Sequence, residues 1–424
     1  MEQPIAAKAV LCTDADNGIY ISPERLPFCE LGRISTGAFI NQVEWSPDNA
    51  NVSILVSSSD EKQSGISSYE RRLYNVETKQ LLLSQPDAAL TWSSSGKYAA
   101  IYGGLFSKSP YIIIWSTVDK FYLYPSGAER ITQIAFSPDG TWLAVQRETS
   151  IELWNLASRL VVRKLSDINS SSSYWNMAWS PDSRYFSTDG KNCTISVWDL
   201  LGPAAPKMII NDVCYSSQWW NQDSIHLVVS DRNNNLQLWN LMTQRIETTF
   251  SGQDRGIVKA GWSPDGELLY SVGIDGETPR PSQVIIWDIA TKRIVADFEN
   301  SDWAATGMEF TPDGSKFIIG QYCCGADLVR TWDRTTGSVT GLVQGPGELT
   351  MDLNHDRSLI AFSRNNGDSG TEKTLVYVQN VSTGALIATL DAHTDAVNEI
   401  SWSPNGEMII TVDWQSNLII WKFR

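Results

Sequence analysis

Apolar and polar residues alternate along almost the whole chain in short runs, and each run stops at residues that favour turns. Two kinds of run recur. The first ends in an aromatic residue followed by Ser-Pro-Asp-Gly or a variant of it: VEWSPD (Val43–Asp48), LTWSSSG (Leu90–Gly96), IAFSPDG (Ile134–Gly140), MAWSPDS (Met177–Ser183), SQWWNQD (Ser217–Asp223), AGWSPDG (Ala260–Gly266), MEFTPDG (Met308–Gly314), MDLNHDR (Met351–Arg357) and ISWSPNG (Ile400–Gly406). These nine copies stand about 40–49 residues apart. A period of two broken by turn residues predicts strands with one buried face rather than helices.

The second kind follows the first by roughly 20–30 residues and ends in Trp, then Asp or Asn. Examples are IIIWST (Ile112–Thr117), IELWNL (Ile151–Leu156), ISVWDL (Ile195–Leu200), LQLWNL (Leu236–Leu241), VIIWDI (Val284–Ile289), VRTWDR (Val329–Arg334) and LIIWKF (Leu418–Phe423), with Tyr74 and Gln379 in the slot in the first and eighth units. Pro presets φ and Gly accepts positive φ, so each Ser-Pro-Asp-Gly predicts a tight hairpin between a first and a second strand. Alternation in the Trp strand puts the large ring on a face that packs against a neighbouring unit. A fourth strand follows, as in Asn240–Phe250 and Asp288–Phe298.

From about Leu26 to Arg424 these residues resemble the WD40-repeat family. The resemblance implies an all-β, closed β-propeller of nine four-stranded antiparallel blades, residues 26–424, behind an extension of residues 1–25. The last unit lacks an outer strand, while Leu26–Ile34 reads like an outer strand with no inner ones of its own. An N-terminal strand is therefore expected to complete the last blade, beside Leu418–Phe423, and to cover an edge that would otherwise stay unpaired. Family blades often hold a buried set of His, Ser or Thr, Asp and Trp. Of three histidines only His393 has the expected place, with Thr411 and Trp421 as companions, and Gln415 is read at the Asp slot. Apolar packing is accordingly expected to hold the blades together.

The resemblance names a fold and not a function. Composition is globular, with 42% hydrophobic and 19% charged residues. The net charge of −15 repels phosphate backbones, so no nucleic-acid partner is expected. The start of the chain lacks a basic, apolar leader, and no run reaches the ~18 apolar residues of a membrane span. Six cysteines without paired spacing read as reduced thiols, which points to a cytoplasmic protein. Catalytic signatures such as HExxH, GxSxG and GxxxxGK[ST] are missing. The expectation is a non-enzyme with no catalytic residue, metal or cofactor; a propeller enzyme or small-molecule or ion binder using the central channel is the alternative. Asp14, Asp16 and Gly18 fail the calcium-loop spacing, and vicinal Cys323 and Cys324 read as packing residues.

Recognition is expected at the connections between second and third strands, which vary widely in length while the hairpin turns do not, and at the connections into first strands, which the resemblance places on the same face. Ser57–Arg72, Gly103–Pro110, Gly273–Gln283 and Arg364–Lys373 are the expanded ones. Trp142, Trp175, Trp220, Trp303 and Trp414 fall outside the two repeating slots. Trp175 precedes Trp179 by four residues, as Tyr215 precedes Trp219, and with Tyr174 and Trp303 they are the expected contacts for a protein or peptide partner.

Overall fold

The computed structural model describes residues 28–423 apart from 60–66, 104–110, 117–118, 125–130, 148–149, 167–176, 191, 204, 214–217, 275–281, 301–304, 322–326, 345–347 and 366–374. Its strands form nine antiparallel sheets of four, a β-propeller. Eight blades are consecutive in sequence: residues 39–86, 88–123, 131–166, 177–210, 218–250, 256–300, 305–344 and 348–390. The ninth takes three strands, Val397–Trp402, Met408–Asp413 and Asn417–Phe423, from the end of the chain and its fourth, Phe28–Ser35, from the beginning. Phe28 pairs with Phe423 and Ser35 with Asn417, so the expected closing strand is present and runs one residue past Ile34; Leu26 and Pro27 lie outside the described residues. Strands also run into one expected loop, since Asn51–Ser59 and Ser67–Asn75 pair through Ser59 and Ser67.

Residues group into two compact units, Met1–Ala88 with Ile318–Thr331 and Val339–Arg424, and Ala89–Phe317 with Trp332–Ser338. Within each unit the cores lie between successive blades. Ile40, Val43, Val52 and Ile54 of blade 1 pack against Ile410, Val412, Leu418 and Ile420 of blade 9. In the second unit Leu227 and Val229 of blade 5 meet Ile195 and Val197 of blade 4.

The repeated turn explains itself chemically. Ser263 Oγ donates to Asp265 Oδ1 at 2.5 Å and accepts the Leu268 N–H at 2.9 Å, while Asp265 Oδ1 accepts the Glu267 N–H at 3.0 Å. The same pattern is built by Ser46 and Asp48, Ser137 and Asp139, and Ser180 and Asp182. The fourth turn residue has positive φ, for example 73° at Gly266. Where it is not glycine its side chain is put to use. Ser183 (φ 62°), Ser224 (φ 58°) and Asn49 (φ 63°) accept the amide of the preceding blade's third turn residue, Asp139, Asp182 and Asn405, at 3.0, 3.0 and 2.9 Å. The left-handed backbone costs about 1–2 kcal/mol, and a hydrogen bond of about 0.5–1.5 kcal/mol offsets much of it.

A second stitch uses the aromatic slot. The indoles of Trp45, Trp179 and Trp262 donate to the carbonyls of Ser401, Ala135 and Trp219 in the preceding blade, at 3.2, 3.3 and 3.4 Å. This fixes a register that the sequence reading missed in blade 5. Trp220 pairs with Leu227 as Trp179 pairs with Phe186, so Trp220 holds the slot and Trp219 is the extra ring. Trp220 is buried and donates to Ser187 Oγ at 3.0 Å.

Two further expectations are corrected. Cys29 and Cys193 each take part in a disulfide of their own rather than being reduced. The tetrad also exists: its acidic member is Asp413, the last residue of its strand, and not the position of Gln415.

Candidate functional site

Each blade has a turn end, carrying the hairpin just described, and a loop end, where second strands pass to third. At the loop end of blade 9 the buried tetrad sets the loop. His393 is 3% exposed; its Nδ1 lies 3.0 Å from Asp413 Oδ2 and its Nε2 2.6 Å from Thr411 Oγ1. The Trp421 indole donates to Thr411 Oγ1 at 2.9 Å. The hydroxyl hydrogen must then go to Nε2, which leaves Nδ1–H to donate to Asp413, an assignment made from the network. Burial pushes the His393 pKa below its ordinary value against the pull of Asp413. Burial works the other way on Asp413, but hydrogen bonds from Asn417 and His393 hold its carboxyl below the usual range.

Asp413 in turn organises residues 414–416. Its Oδ1 accepts the amides of Gln415 at 3.0 Å and Asn417 at 2.9 Å, and Asn417 Nδ2 reaches both oxygens. Ser416 takes a positive φ of 64°, and its Oγ accepts the Ile40 N–H of blade 1 at 3.0 Å. The Trp414 N–H is held by the Ala396 carbonyl at 3.0 Å. A fully tied turn therefore carries Trp414, which is 52% exposed and stacks on Phe39 of blade 1 with centroids 5.9 Å apart and planes 27° from parallel. Fixed aromatic rings at a surface suit apolar, proline or cationic side chains at small entropic cost.

The expected contacts Tyr174, Trp175, Tyr215 and Trp303 lie outside the described residues. Trp414 was legible as an extra ring but carried no sign of its role; the signal was Asp413 two residues before Gln415 and four before Asn417.

Carboxylates on first strands bear on the channel alternative. Burial raises Glu399 to about 7, and it accepts the Val43 amide of blade 1. Asp352 Oδ2 accepts the Trp402 amide of blade 9 at 2.7 Å. Both groups thus bind blade to blade. Among the described residues no group of three or more His, Cys, Asp or Glu is placed to hold a metal ion, and no helix is long and apolar enough to cross a membrane.

Comparisons with known proteins agree with this architecture. Residues 121–155, 163–199 and 384–422 match the WD domain, G-beta repeat. Each match begins at or beside the fourth strand of one blade and runs into the third strand of the next. The chain is similar to Target of rapamycin complex subunit LST8 of Bos taurus and of Mus musculus, 23% identical over 157 residues, 35% of this chain and 46% of each of those proteins. It is also similar to Meiotic fizzy-related protein 1 of Schizosaccharomyces pombe, 26% identical over 190 residues, 43% of either chain. The chain thus spans less than half the length of these curated relatives. The C-terminal WD40 domain of Sif2 matches in structure with a TM-score of 0.52 and 16% identity, covering 94% of this chain and 98% of that one, a likeness of fold alone.

Proposed function

We propose that this chain, a WD40-repeat β-propeller, is a non-enzymatic interaction platform that binds a protein or peptide segment at its loop ends. The observation that carries the reading is Trp414, half exposed on Phe39 and pinned by a buried tetrad. A large ring kept at the surface gives up burial worth about 1.5–3 kcal/mol, and such rings recur as binding anchors. Tyr174, Trp175, Tyr215 and Trp303 are further proposed contacts, on the sequence argument alone. One similar protein, LST8, is by its name a subunit of a complex, which fits such a role.

The test is partner capture from native extract with wild type, Trp414→Ala and the pair Trp175→Ala with Tyr215→Ala, each checked for an unchanged melting midpoint. Trp414→Ala should lower retention of the partner by roughly tenfold or more. Unchanged retention in all variants would overturn the loop-end reading. A cytoplasmic location is part of the proposal, and the disulfide-bonded Cys29 and Cys193 make it testable. A reducing compartment would open these disulfides, so both cysteines of protein taken from its native source should alkylate without added reductant; full protection would overturn the cytoplasmic part of the proposal.

A further inference from the structure

At the turn end, the joint between blades 5 and 6 contains a cavity of about 500 Å³, lined among others by Asp223, His226, Glu247, Trp262, Gly266 and Ile289. That lies within the range of about 300–1,000 Å³ of ligand pockets. His226 is clasped between two carboxylates, with Nδ1 2.5 Å from Asp223 Oδ2 and Nε2 3.2 Å from Glu247 Oε2. Asn240 Nδ2 donates to the other oxygen of Glu247 at 2.7 Å. Two carboxylates against one imidazole leave the wall negative even when the ring is protonated.

The repeat explains why there is a hollow here. Gly266 stands where Ser183 and Ser224 supply a side chain to the preceding blade, and Asp223 N–H turns to its own Asn221 Oδ1 at 3.1 Å instead. Ile289, the residue after the Trp-Asp pair of blade 6, cannot reach the carboxylates with a short apolar side chain. The next joint shows the same place filled. There the residue after Trp332–Asp333 is Arg334, whose Nη1 donates to Asp265 and whose Nη2 donates to Glu267 Oε2 at 2.6 Å. Its guanidinium lies beside Gly314, with Nη1 3.7 Å from where a Cβ would stand. Asp265, Gly314 and Arg334 at one joint correspond to Asp223, Gly266 and Ile289 at the other; Ile225 stands at the place of Glu267, and the second carboxylate of the cavity comes instead from Glu247 on the outer strand. Among the nine residues at Arg334's position, Val76, Thr117, Leu156, Leu200, Leu241, Ile289, Val381 and Phe423 are the others, and none of them is charged.

We infer that the cavity between blades 5 and 6 binds an arginine side chain presented by a partner protein, in the place that Arg334 fills from within at the following joint. The fork of a guanidinium suits paired carboxylate oxygens, and a lysine ammonium lacks that fork. Trp262 on the wall offers a ring to the flat cation. The inference rests on the reading of the chain as an interaction platform and adds a second surface, at the turn end of blades 5 and 6.

The experiment uses the full chain and two blocked tripeptides, acetyl-Gly-Arg-Gly-amide and its citrulline counterpart, which keeps the shape and loses the charge. Binding is followed by saturation-transfer NMR titration. The arginine peptide should bind saturably and the citrulline peptide at least roughly tenfold more weakly. Ile289→Arg should abolish binding by filling the cavity from within. Glu247→Gln, on an outer strand, and Asp223→Asn, in the turn, should each weaken it by a similar factor. Equal binding of the two peptides, no binding of either, or binding that survives Ile289→Arg would overturn the assignment. Glu247→Gln keeps the test decisive should Asp223→Asn disturb the turn. Partner capture through Trp414 does not depend on the cavity, so loss of this inference would leave the loop-end reading standing, and the converse also holds.

Discussion

Blades 9 and 6 solve one packing problem with different chemistry. The position before the first strand is His393 in blade 9 and Gln253 in blade 6. His393 reaches Asp413 and Thr411, and Thr411 reaches Trp421. In blade 6 Ser271 Oγ donates to Gln253 Oε1 at 2.5 Å, and Gln253 Nε2 donates to the carbonyl and side chain of Gln283 at 3.2 and 3.1 Å. Gly273 replaces the aspartate, and a Cβ there would lie 2.3 Å from Gln253 Nε2. The longer glutamine therefore occupies the space of both histidine and aspartate. Its cost is Trp287, whose buried Nε1 has no hydrogen-bond partner among the described residues where Trp421 has Thr411. A blade can thus keep its shape without a titratable group, but the aspartate it gives up is what ties down the loop, as Asp413 does in blade 9 and Asp231, without a histidine, does in blade 5.

The largest test of that contrast concerns how each blade obtains its fourth strand. Blade 6 supplies its own, Arg293–Asn300, whereas blade 9 borrows Phe28–Ser35, which buries Phe28 and Ile34. Deleting residues 1–35 should abolish soluble protein or lower the melting midpoint markedly. Amide exchange should quicken in Asn417–Phe423 and stay slow in Ser282–Asp288. An unchanged midpoint would make the strand dispensable.

Next in size is the hydroxyl that each set shares. Thr411→Val strands two buried groups, His393 Nε2 and the Trp421 indole, at about 1–3 kcal/mol each. Ser271→Ala strands one, Gln253 Oε1, and should cost about 1 kcal/mol. Urea unfolding of both variants measures the difference; equal costs would break the comparison.

Much of this was legible in the sequence because the constraint is periodic. Nine turns and the aromatic slots had to recur for each blade to bury its neighbour, and the missing last strand could be counted. Blade 5 was misread by one residue because Trp219 and Trp220 are adjacent and NQDS replaces SPDG; only the pairing of Trp220 with Leu227 decides which ring is the repeat. The acidic tetrad member was read at Gln415, whereas Asp413, two residues earlier, closes the strand and acts through its side chain. The match of Trp175 with Tyr215 counted back from Trp179 and Trp219; with Trp220 in the slot Tyr215 stands five residues before it and Trp175 four, so no period fixes these contacts. The cavity depends on Gly266 and Ile289 failing to do what equivalent residues do, which shows only when blades are superposed.

A smaller effect separates the blades at the position three residues before the aromatic slot. In blade 6 Lys259 Nζ donates to the Met308 carbonyl of the next blade at 3.3 Å, and in blade 9 Glu399 accepts the Val43 amide. Burial, with Asp352 adding repulsion, raises Glu399 from 4.5 to about 7. A carboxyl with a raised folded pKa contributes fully below the unfolded value and loses that contribution as pH rises through the folded one. Stability should therefore decline between roughly pH 4.5 and 7 by on the order of 1–3 kcal/mol. Glu399→Gln keeps an acceptor for Val43 and should remove that decline. A parallel decline in wild type and variant, seen in midpoints at pH 5 and 8, would remove Glu399 as its source.

The smallest and most discriminating test converts one blade into the other. His393 faces Asp413, Glu30 and Arg33, and burial lowers its pKa below the ordinary 6.5 despite Asp413. A histidine kept neutral by the fold binds protons more readily when unfolded, so stability is lost as pH falls below about 6.5 toward the folded pKa. Asp413, itself held low, titrates beneath that window and does not add to the slope. His393→Gln alone would force the longer side chain against Asp413, as the crowding at Gly273 shows. The double variant His393→Gln with Asp413→Gly reproduces the blade 6 set and should flatten the fall in melting midpoint between pH 7 and 5. It also removes the acceptor for the amides of Gln415 and Asn417. Amide exchange at residues 414–417 should therefore quicken, and partner retention should fall toward that of Trp414→Ala although the ring is still present. A flattened pH response with retention intact would separate the two roles of the tetrad, leaving it a stabilising device that does not position Trp414.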